Sequence, residues 1–234
     1  MQRYFLAKHE SLEITGPDAH HITKVMRMTS GEQVIVCADR QCFLVTLEIK
    51  EGRVFYHINE EIKREPDPQI TLIQGLPKHP KTETVAKYAT LFGASNIVFV
   101  PMMRSIAKSD NEANKLKRMH LIAKEAAELA HRFDIPEIRF ETNLKNLDWS
   151  RFSVILLADE NEKTKTLLEV LPEVNSNMSI ALIIGPEGGI ADQERSYLSS
   201  VGAHFVSLGK NILPTELASL YALSYLCLKN TETF

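Results

Sequence analysis

An apolar run passes directly into a glycine-rich loop in Ser179-Ile180-Ala181-Leu182-Ile183-Ile184-Gly185-Pro186-Glu187-Gly188-Gly189. A short apolar run that ends at turn residues is typical of a strand buried on both faces of a parallel sheet. Three glycines and a proline after such a strand make a tight loop, in which a ligand can approach backbone N–H and C=O groups closely. This glycine loop (residues 185–189) matches neither GxGxxG nor a P-loop, because no Gly-Lys-Ser/Thr follows. Glycine content alone leaves two interpretations open: an adenosine-binding loop that uses backbone hydrogen bonds, and a simple strand-to-helix turn.

Strands and helices alternate on both sides of the glycine loop. Strands are predicted at 70–73, 96–100, 153–158, 179–184 and 203–206. Helices are predicted at 82–92, 111–133, 163–171, 192–200 and 215–228. Apolar strands that alternate with helices predict a mostly parallel α/β sheet with helices on both faces.

The first 68 residues have a different pattern. Strands rich in β-branched and aromatic residues are predicted at 33–37, 42–47 and 53–58, with one helical piece near 18–28. They predict a small antiparallel barrel or sheet. Residues 63–68 hold two prolines among charges, and such a segment continues neither a ladder nor a helix, so it is the predicted linker. Two domains follow, 1–68 and 69–234.

Composition excludes several classes of protein. The chain has 234 residues, of which 44% are hydrophobic and 24% charged, so disorder, collagen and disulfide scaffolds do not fit. No apolar stretch has the ~20 residues that span a bilayer, and the N-terminus lacks the apolar region of a signal peptide, so a cytoplasmic protein without membrane contact is predicted. Cys37, Cys42 and Cys227 are too few and too scattered for a metal site or a disulfide framework, so all three are predicted to be plain structural residues.

Charge gives a divided signal on nucleic acid. The net charge of −3 gives no support for nucleic-acid binding, which a strongly basic domain would indicate. Residues 104–132, however, carry seven Lys/Arg against four Asp/Glu. Such a cluster on a helix is either a solvated face or a surface for a partner.

Three predicted strand ends are candidate ligand-binding loops, because ligands of open α/β sheets bind at the carboxyl ends of the strands. They are 157–160, 184–189 and 208–216. In the third, Pro214 and Thr215 open an apolar helix, and Thr215 is a suitable N-cap. That helix is expected to be buried in the core or against another subunit. The sequence contains no nucleophile elbow, HExxH or EF-hand pattern, and no metal site is predicted.

Several short motifs follow one another along nearly the whole chain. They include Gln2-Arg3-Tyr4-Phe5, His20-His21-Ile22, Gly75-Leu76-Pro77-Lys78, Arg104-Ser105, Ile135-Pro136-Glu137-Ile138, Ile184 to Gly189, and Leu208-Gly209 with Ile212-Leu213. With these motifs the chain resembles the small-subunit (16S) ribosomal RNA uracil-N3 methyltransferases of the SPOUT (α/β-knot) superfamily. The resemblance implies a PUA-like β-barrel that helps to hold RNA, followed by a trefoil-knotted parallel sheet with helices on both faces. It also implies S-adenosylmethionine as cofactor, ribosomal RNA of the small subunit as partner, and a homodimer.

The resemblance further implies roles for individual residues. The predicted cofactor site consists of Leu157, Ala158, Ile184, Gly185, Pro186, Glu187, Gly188, Gly189, Leu208, Ile212, Leu213, Pro214, Thr215, Glu216 and Ala218. The predicted catalytic residues are Arg104 and Arg132, which would stabilise the uracil anion, and Glu187 and Glu216, which are candidate carboxylates near the methyl group. The predicted RNA contacts are Arg3, Arg27, Lys78, Lys81, Arg104, Lys108, Lys124 and Arg132. Because N3 lies on the pairing edge of uracil, the target base must be unpaired or extruded.

The chain departs from the family pattern at His79-Pro80, Met103, Leu129 and Pro214. These departures keep two alternatives open. One is a related knotted methyltransferase that acts on another RNA site. The other is a non-catalytic RNA-binding factor of ribosome assembly that kept the fold and lost the chemistry.

Overall fold

The computed structural model describes residues 1–7, 12–64, 67–107 and 112–230, and these divide into two compact units. The first unit comprises Met1–Glu65 and Ala127–Ile135, and the second comprises Pro66–Ala126 and Pro136–Phe234. The division into domains 1–68 and 69–234 stays a prediction. Sequence pattern did not show that residues 127–135 group with the N-terminal segment, because they continue the periodicity of the long helix before them.

The first unit is built on a mixed sheet, five-stranded over its described residues. Its strands are β1 (Arg3–Phe5), β2 (Glu13–Ile14), β3 (Gln33–Ala38), β4 (Gln41–Lys50) and β5 (Arg53–Ile62), in the order β1-β3-β4-β5-β2. The strands β3, β4 and β5 are antiparallel, as predicted, whereas β1 pairs parallel to β3. The predicted helical piece is α1 (Gly16–His20), which continues as a π-helical turn, His21–Val25. The sequence missed β1 and β2 because two or three residues are too short for a periodic signal.

Cys37 and Cys42 form a disulfide, so the prediction that all three cysteines are plain structural residues is wrong for this pair. A two-residue turn, Asp39-Arg40, joins β3 to β4, and both of its residues have positive φ, as tight hairpin turns require. The resulting register places the two cysteines opposite each other, with Cα atoms 4.1 Å apart. Their spacing is uninformative in the sequence, and only the hairpin register brings the sulfur atoms together.

The second unit contains the predicted parallel sheet. Its strands, counted over the described residues, are β6 (Gln69–Gly75), β7 (Asn96–Val100), β8 (Glu137–Phe140), β9 (Val154–Ala158), β10 (Ser179–Ile184) and β11 (His204–Val206). Their order is β11-β9-β10-β6-β7-β8, and all neighbouring strands are parallel. The register pairs Ile184 with Gln74 on one side and with Ala158 on the other. The carboxyl ends of β6, β9 and β10 therefore lie level at one edge of the sheet.

Helices connect these strands. The described ones are α2 (Lys81–Leu91), α3 (Glu112–Leu129), α4 (Leu167–Val170), α5 (Asp192–Ser200) and α6 (Thr215–Asn230). None of these described helices meets the length and hydropathy that crossing a membrane requires. The predicted helix 163–171 is wrong in its first turn. There the Glu162 carboxylate accepts the backbone N–H groups of Thr164 and Lys165, and such side-chain bonds compete with a helical ladder.

The sequence prediction of a parallel α/β sheet with a separate N-terminal sheet is thus confirmed. The trefoil knot stays a prediction, because strand order and register do not by themselves define how the chain threads.

Candidate functional site

A cavity of about 480 Å³ lies in the second unit at the carboxyl ends of β9, β10 and β11. Cavities of roughly 300 to 1,000 Å³ are the usual size for small-molecule sites. All of the predicted cofactor-site residues line it except Leu157, which is buried within β9, and Glu216, in the first turn of α6. The residues that line it and were not predicted are Asp159, Glu160, Lys163, Ser207, Gly209 and Asn211. The three candidate loops therefore meet around one space.

The glycine loop has neighbours that leave no room for side chains. A Cβ at Gly188 would lie 2.8 Å from the backbone oxygen of Arg104. Gly189 has φ +71°, and a Cβ there would overlap the carboxylate of Glu160. Gly188 therefore requires glycine because of a backbone contact, whereas Gly189 requires it because of its left-handed backbone conformation. All five residues of the glycine loop line the cavity, so the structure favours the binding-loop interpretation.

A buried polar cluster fixes the start of the glycine loop. Gln74 Nε2, at the end of β6, donates to Thr215 Oγ1 at 2.7 Å and to the Gly185 carbonyl at 3.4 Å. The Thr215 hydroxyl in turn donates to the same carbonyl oxygen. The Gly185 carbonyl is thereby engaged by the protein, and three segments are joined.

Two conclusions follow for the sequence prediction. Thr215 is the first residue of α6 and its hydroxyl bonds across to Gly185, so the prediction that it is an N-cap is wrong. Gln74 was not among the predicted site residues. The available signal was an amide side chain within the otherwise apolar run of β6, since buried polar groups need hydrogen-bond partners.

The two candidate carboxylates lie together on one lysine. Glu187 Oε1 accepts the backbone N–H of Lys78 at 3.0 Å. Lys81 Nζ lies 3.4 Å from this oxygen and 3.0 Å from Glu216 Oε2. Burial raises the pKa of Glu187, but the Lys78 and Glu187 N–H groups and the Lys81 ammonium outweigh it and hold that pKa below its usual value. The ion pairs with Glu216 and Glu187 raise the pKa of Lys81, so Lys81 and Glu187 are both charged at neutral pH.

Arg104 lies beside the glycine loop. Its side chain is exposed, and Nη1 donates to the Gly188 carbonyl at 3.3 Å. The backbone next to it is held by Glu194 on α5, whose Oε1 accepts the Met103 N–H at 2.9 Å. The structure therefore brings together three of the four predicted catalytic residues, namely Arg104, Glu187 and Glu216.

A partly buried ion pair holds Asp159, one of the residues that line the cavity. Arg195 donates to both carboxylate oxygens of Asp159, at 2.7 and 2.6 Å. This hydrogen bonding raises the pKa of Arg195. The neighbouring Glu160 side chain is 39% exposed, and its Oε1 lies 3.9 Å from Arg195. Asp159 is thus committed to the wall, whereas Glu160 presents a carboxylate to the cavity. Among the described residues, no cluster of His, Cys, Asp and Glu could hold a metal ion.

Arg132 and Arg3 belong to the first unit, where both side chains turn inward. The Arg132 guanidinium, 11% exposed, pairs with Asp134 at 2.9 Å. Arg3 is 6% exposed, donates to the backbone carbonyls of His131 and Arg132, and lies over the Phe133 ring. Both arginines therefore stabilise their own unit. We exclude Arg3 from the RNA contacts proposed below, and the catalytic and RNA-binding roles of Arg132 stay predictions.

The other predicted RNA contacts differ in exposure. Arg27 and Lys78 are exposed, and Lys124 is half-buried on α3. Lys108 lies outside the described residues. Arg27 follows Val25 and Met26, which are 59% and 41% exposed, so this turn of the first unit presents both apolar and basic groups to solvent.

Comparisons with known proteins identify the family of this chain. A family model described as an RNA methyltransferase domain matches residues 63–227, and one described as an RNA methyltransferase PUA domain matches residues 14–41. The chain is 32% identical to ribosomal RNA small subunit methyltransferase E of Bacillus subtilis (strain 168), with 96% of this chain and 95% of that protein covered. It is 30% identical to the protein of the same name from Mesomycoplasma hyopneumoniae (strain 232), with 98% and 100% covered.

Solved structures are similar over nearly the whole chain. A putative methyltransferase from Legionella pneumophila, in complex with the bound cofactor SAM, superposes with a TM-score of 0.83 at 29% identity, with 97% of each chain covered. A ribosomal RNA small subunit methyltransferase E from Neisseria gonorrhoeae, bound to S-adenosyl methionine, gives 0.81 at 23% identity, with 97% of this chain and 96% of that chain covered. The second likeness supports the fold alone.

Proposed function

Because this chain belongs to the ribosomal RNA small subunit methyltransferase E family, we propose that it transfers a methyl group from S-adenosylmethionine to N3 of a uridine in 16S ribosomal RNA. The observation that carries the proposal is the glycine-lined cavity at the strand ends. It lies within the segment that matches the RNA methyltransferase domain.

The residues around the cavity fit this cofactor. Ile184, Leu208 and Ile212 supply apolar surface for an adenine ring, and the glycine loop supplies backbone groups at close range. The carboxylates of Glu160 and Glu187 complement the positive charges of the cofactor. When bound, the cofactor supplies an electrophilic methyl group on a sulfonium. The Legionella structure, crystallised with SAM, supports this assignment.

The reaction needs groups that act on the uracil. N3 attacks the methyl carbon in line, so that the N3–C bond forms, the C–S bond breaks, and the N3 proton leaves. One carboxylate of the Glu187 and Glu216 pair is the proposed acceptor of this single proton. Arg104, beside the glycine loop, is the proposed cation that stabilises negative charge on the uracil oxygens.

The first unit is proposed to hold RNA, since a PUA-domain model matches part of it. Arg27 in that unit and Lys78 in the second are exposed and basic, and such side chains neutralise phosphates. Lys124 completes the described set of proposed contacts. We propose the small ribosomal subunit as the partner and the cytoplasm, where ribosomal RNA is found, as the location.

A homodimer is proposed from the surface of α6. Leu217 and Tyr221 are 46% and 57% exposed, and their spacing of four places them on one face of the helix. Exposed apolar faces of this kind mark interaction sites. A second copy of the chain is the proposed partner. In such a dimer the exposed face of α6 in one copy would pack on the same face of α6 in the other, and this contact would hold the start of the helix, which lies at the cavity, in both copies. Sedimentation of the wild type and of Leu217→Glu/Tyr221→Glu tests this, and a monomeric wild type would contradict it.

The function is tested with small subunits from cells that lack this gene. Purified protein and cofactor labelled in the methyl group are incubated with the subunits, and digested RNA is analysed by mass spectrometry. We expect one N3-methyluridine, located by a stop in reverse transcription, because N3 methylation blocks the pairing edge. Ribose methylation without such a stop would support the related methyltransferase. Saturable binding of RNA without cofactor binding would support the non-catalytic assembly factor.

A further inference from the structure

Lys81 lies where three segments of the second unit meet. It is the first residue of α2, whereas Glu187 belongs to the glycine loop and Glu216 to the first turn of α6. Its ammonium is 3.4 Å from one carboxylate and 3.0 Å from the other. The Lys81 ammonium therefore contacts carboxylates from two segments that are far from α2 along the chain.

The surroundings strengthen this contact. The exposed fractions of the side chains are 32% for Lys81, 23% for Glu187 and 18% for Glu216, so solvent screens the charges only in part. Two carboxylates at one place repel each other, and this repulsion favours protonation of one of them unless a cation lies between. The Lys81 ammonium is that cation. A lysine committed to two carboxylates is poorly available to an RNA phosphate.

We propose that Lys81 is a positioning residue for methyl transfer, whose ammonium holds Glu187, which lines the cavity, together with Glu216 in the first turn of α6. This inference rests on the function proposed above. It replaces the RNA contact that the sequence predicts for Lys81.

The charge state of Glu187 agrees with the proposal. Burial raises its pKa, and the N–H groups of Lys78 and of Glu187 itself, together with Lys81, lower it further than burial raises it. The groups around Glu187 are Lys81 on α2, Glu216 on α6 and the Lys78 N–H, and Arg104 contacts the next loop residue, Gly188. Because the Lys78 N–H remains when Lys81 is replaced, the effect on Glu187 is partial.

The first measurement needs no enzyme activity. The Glu187 carboxyl is followed by carbon NMR during a pH titration of the full chain, its signal being identified by loss in Glu187→Gln. In Lys81→Met we expect the titration midpoint to move to higher pH. It should stay at the wild-type value in Lys81→Arg and in the control Lys145→Met, which replaces an exposed lysine of the same unit. An unchanged midpoint in Lys81→Met overturns the proposal.

The second measurement separates positioning from RNA binding. We expect Lys81→Met to lower kcat about tenfold, most strongly at the acidic end of the pH profile, with the KM for RNA within about twofold and rescue by Lys81→Arg. A raised KM and a smaller salt dependence, with unchanged kcat and Glu187 titration, would identify an RNA contact and overturn the proposal. Lys81→Gln serves in both measurements if the methionine variant does not fold.

The two proposals fail in distinguishable ways. If the wild type binds cofactor but methylates no RNA, the proposed function fails and so does the role of Lys81 in methyl transfer. The titration then still decides whether Lys81 sets the charge state of Glu187. If the wild type is active and Lys81→Met matches it in both measurements, only the inference about Lys81 fails.

Discussion

The two units use basic side chains in different ways. In the second unit, Lys81 contacts Glu187 and Glu216, and Arg104 contacts the carbonyl of Gly188 in the glycine loop. In the first unit, Arg3 and Arg132 turn inward onto carbonyl oxygens and Asp134. A sequence motif therefore does not show whether a basic side chain is accessible to RNA, because burial in the folded unit decides it. Basic side chains stabilise the fold in the first unit, whereas in the second we propose that they take part in methyl transfer.

The largest expected effect comes from filling the glycine loop. Gly188→Val should weaken cofactor binding at least ~100-fold, because the new side chain meets the Arg104 backbone and displaces the loop. Isothermal titration with S-adenosylmethionine measures it. The control is Gly93→Asn, where an added Cβ meets nothing within 4 Å and asparagine tolerates the positive φ. Wild-type affinity in Gly188→Val would show that the loop is not the cofactor site.

Arg132→Met tests whether Arg132 stabilises the first unit rather than taking part in catalysis. Burial raises the pKa of Asp134, but Arg132 and then Arg64 outweigh it, so the pKa lies below its usual value. A carboxyl whose pKa is lowered by folding contributes stability above its unfolded pKa and loses it as pH falls through the folded pKa. We expect a loss of about 2 kcal/mol in the free energy of unfolding at pH 7 and a weaker acid dependence below about pH 4.

Urea unfolding at several pH values, with methyl transfer measured in parallel, checks this prediction. The control is Arg118→Met, since the Arg118 side chain is 70% exposed and its pair with Glu83 lies at the surface. A large loss of kcat in Arg132→Met with unchanged stability would break the comparison, because Arg132 would then act in catalysis as the sequence predicts.

The next largest effect is expected from a substitution in the buried polar cluster at the start of the glycine loop. Thr215→Val removes the hydroxyl that bonds to Gly185 and leaves the Gln74 amide without this acceptor. We expect a loss of ~1–2 kcal/mol in the free energy of unfolding, with cofactor binding weakened several-fold. Thr46→Val, in a strand of the first unit where the hydroxyl bonds only at the surface, is the control and should change stability by less than about 0.5 kcal/mol. Equal stability of the two variants would show that the hydrogen bonds of Thr215 do not stabilise the fold.

The smallest effect is expected at the surface of the first unit. Arg27→Ala should weaken RNA binding a few-fold and reduce the slope of log affinity against log salt by about one, without changing stability or cofactor affinity. Filter binding with small-subunit RNA at several salt concentrations measures the slope. Arg40→Ala, at an exposed hairpin turn of the same unit, is the control. An unchanged slope would remove Arg27 from the RNA surface.

Local pattern was a good guide to the second unit. The strand Ser179–Ile184, the helix Asp192–Ser200 and the strand Asn96–Val100 have the predicted bounds. The three loops at the strand ends follow, because parallel strands bring their carboxyl ends to one edge. Periodicity could not show α4 correctly, since side-chain bonds from Glu162 delay its start.

The sequence by itself determined the alternation of strands and helices and the glycine loop at the end of a buried strand, because these depend on neighbouring residues. Tertiary structure decided which side chains meet. It paired Cys37 with Cys42, brought Gln74 to Thr215 across 141 residues, gave Lys81 two carboxylates, and turned Arg3 and Arg132 inward. The physical reason is that hydrogen bonds and ion pairs act over a few ångströms in space, and separation along the chain says nothing about that distance until the sheet is assembled.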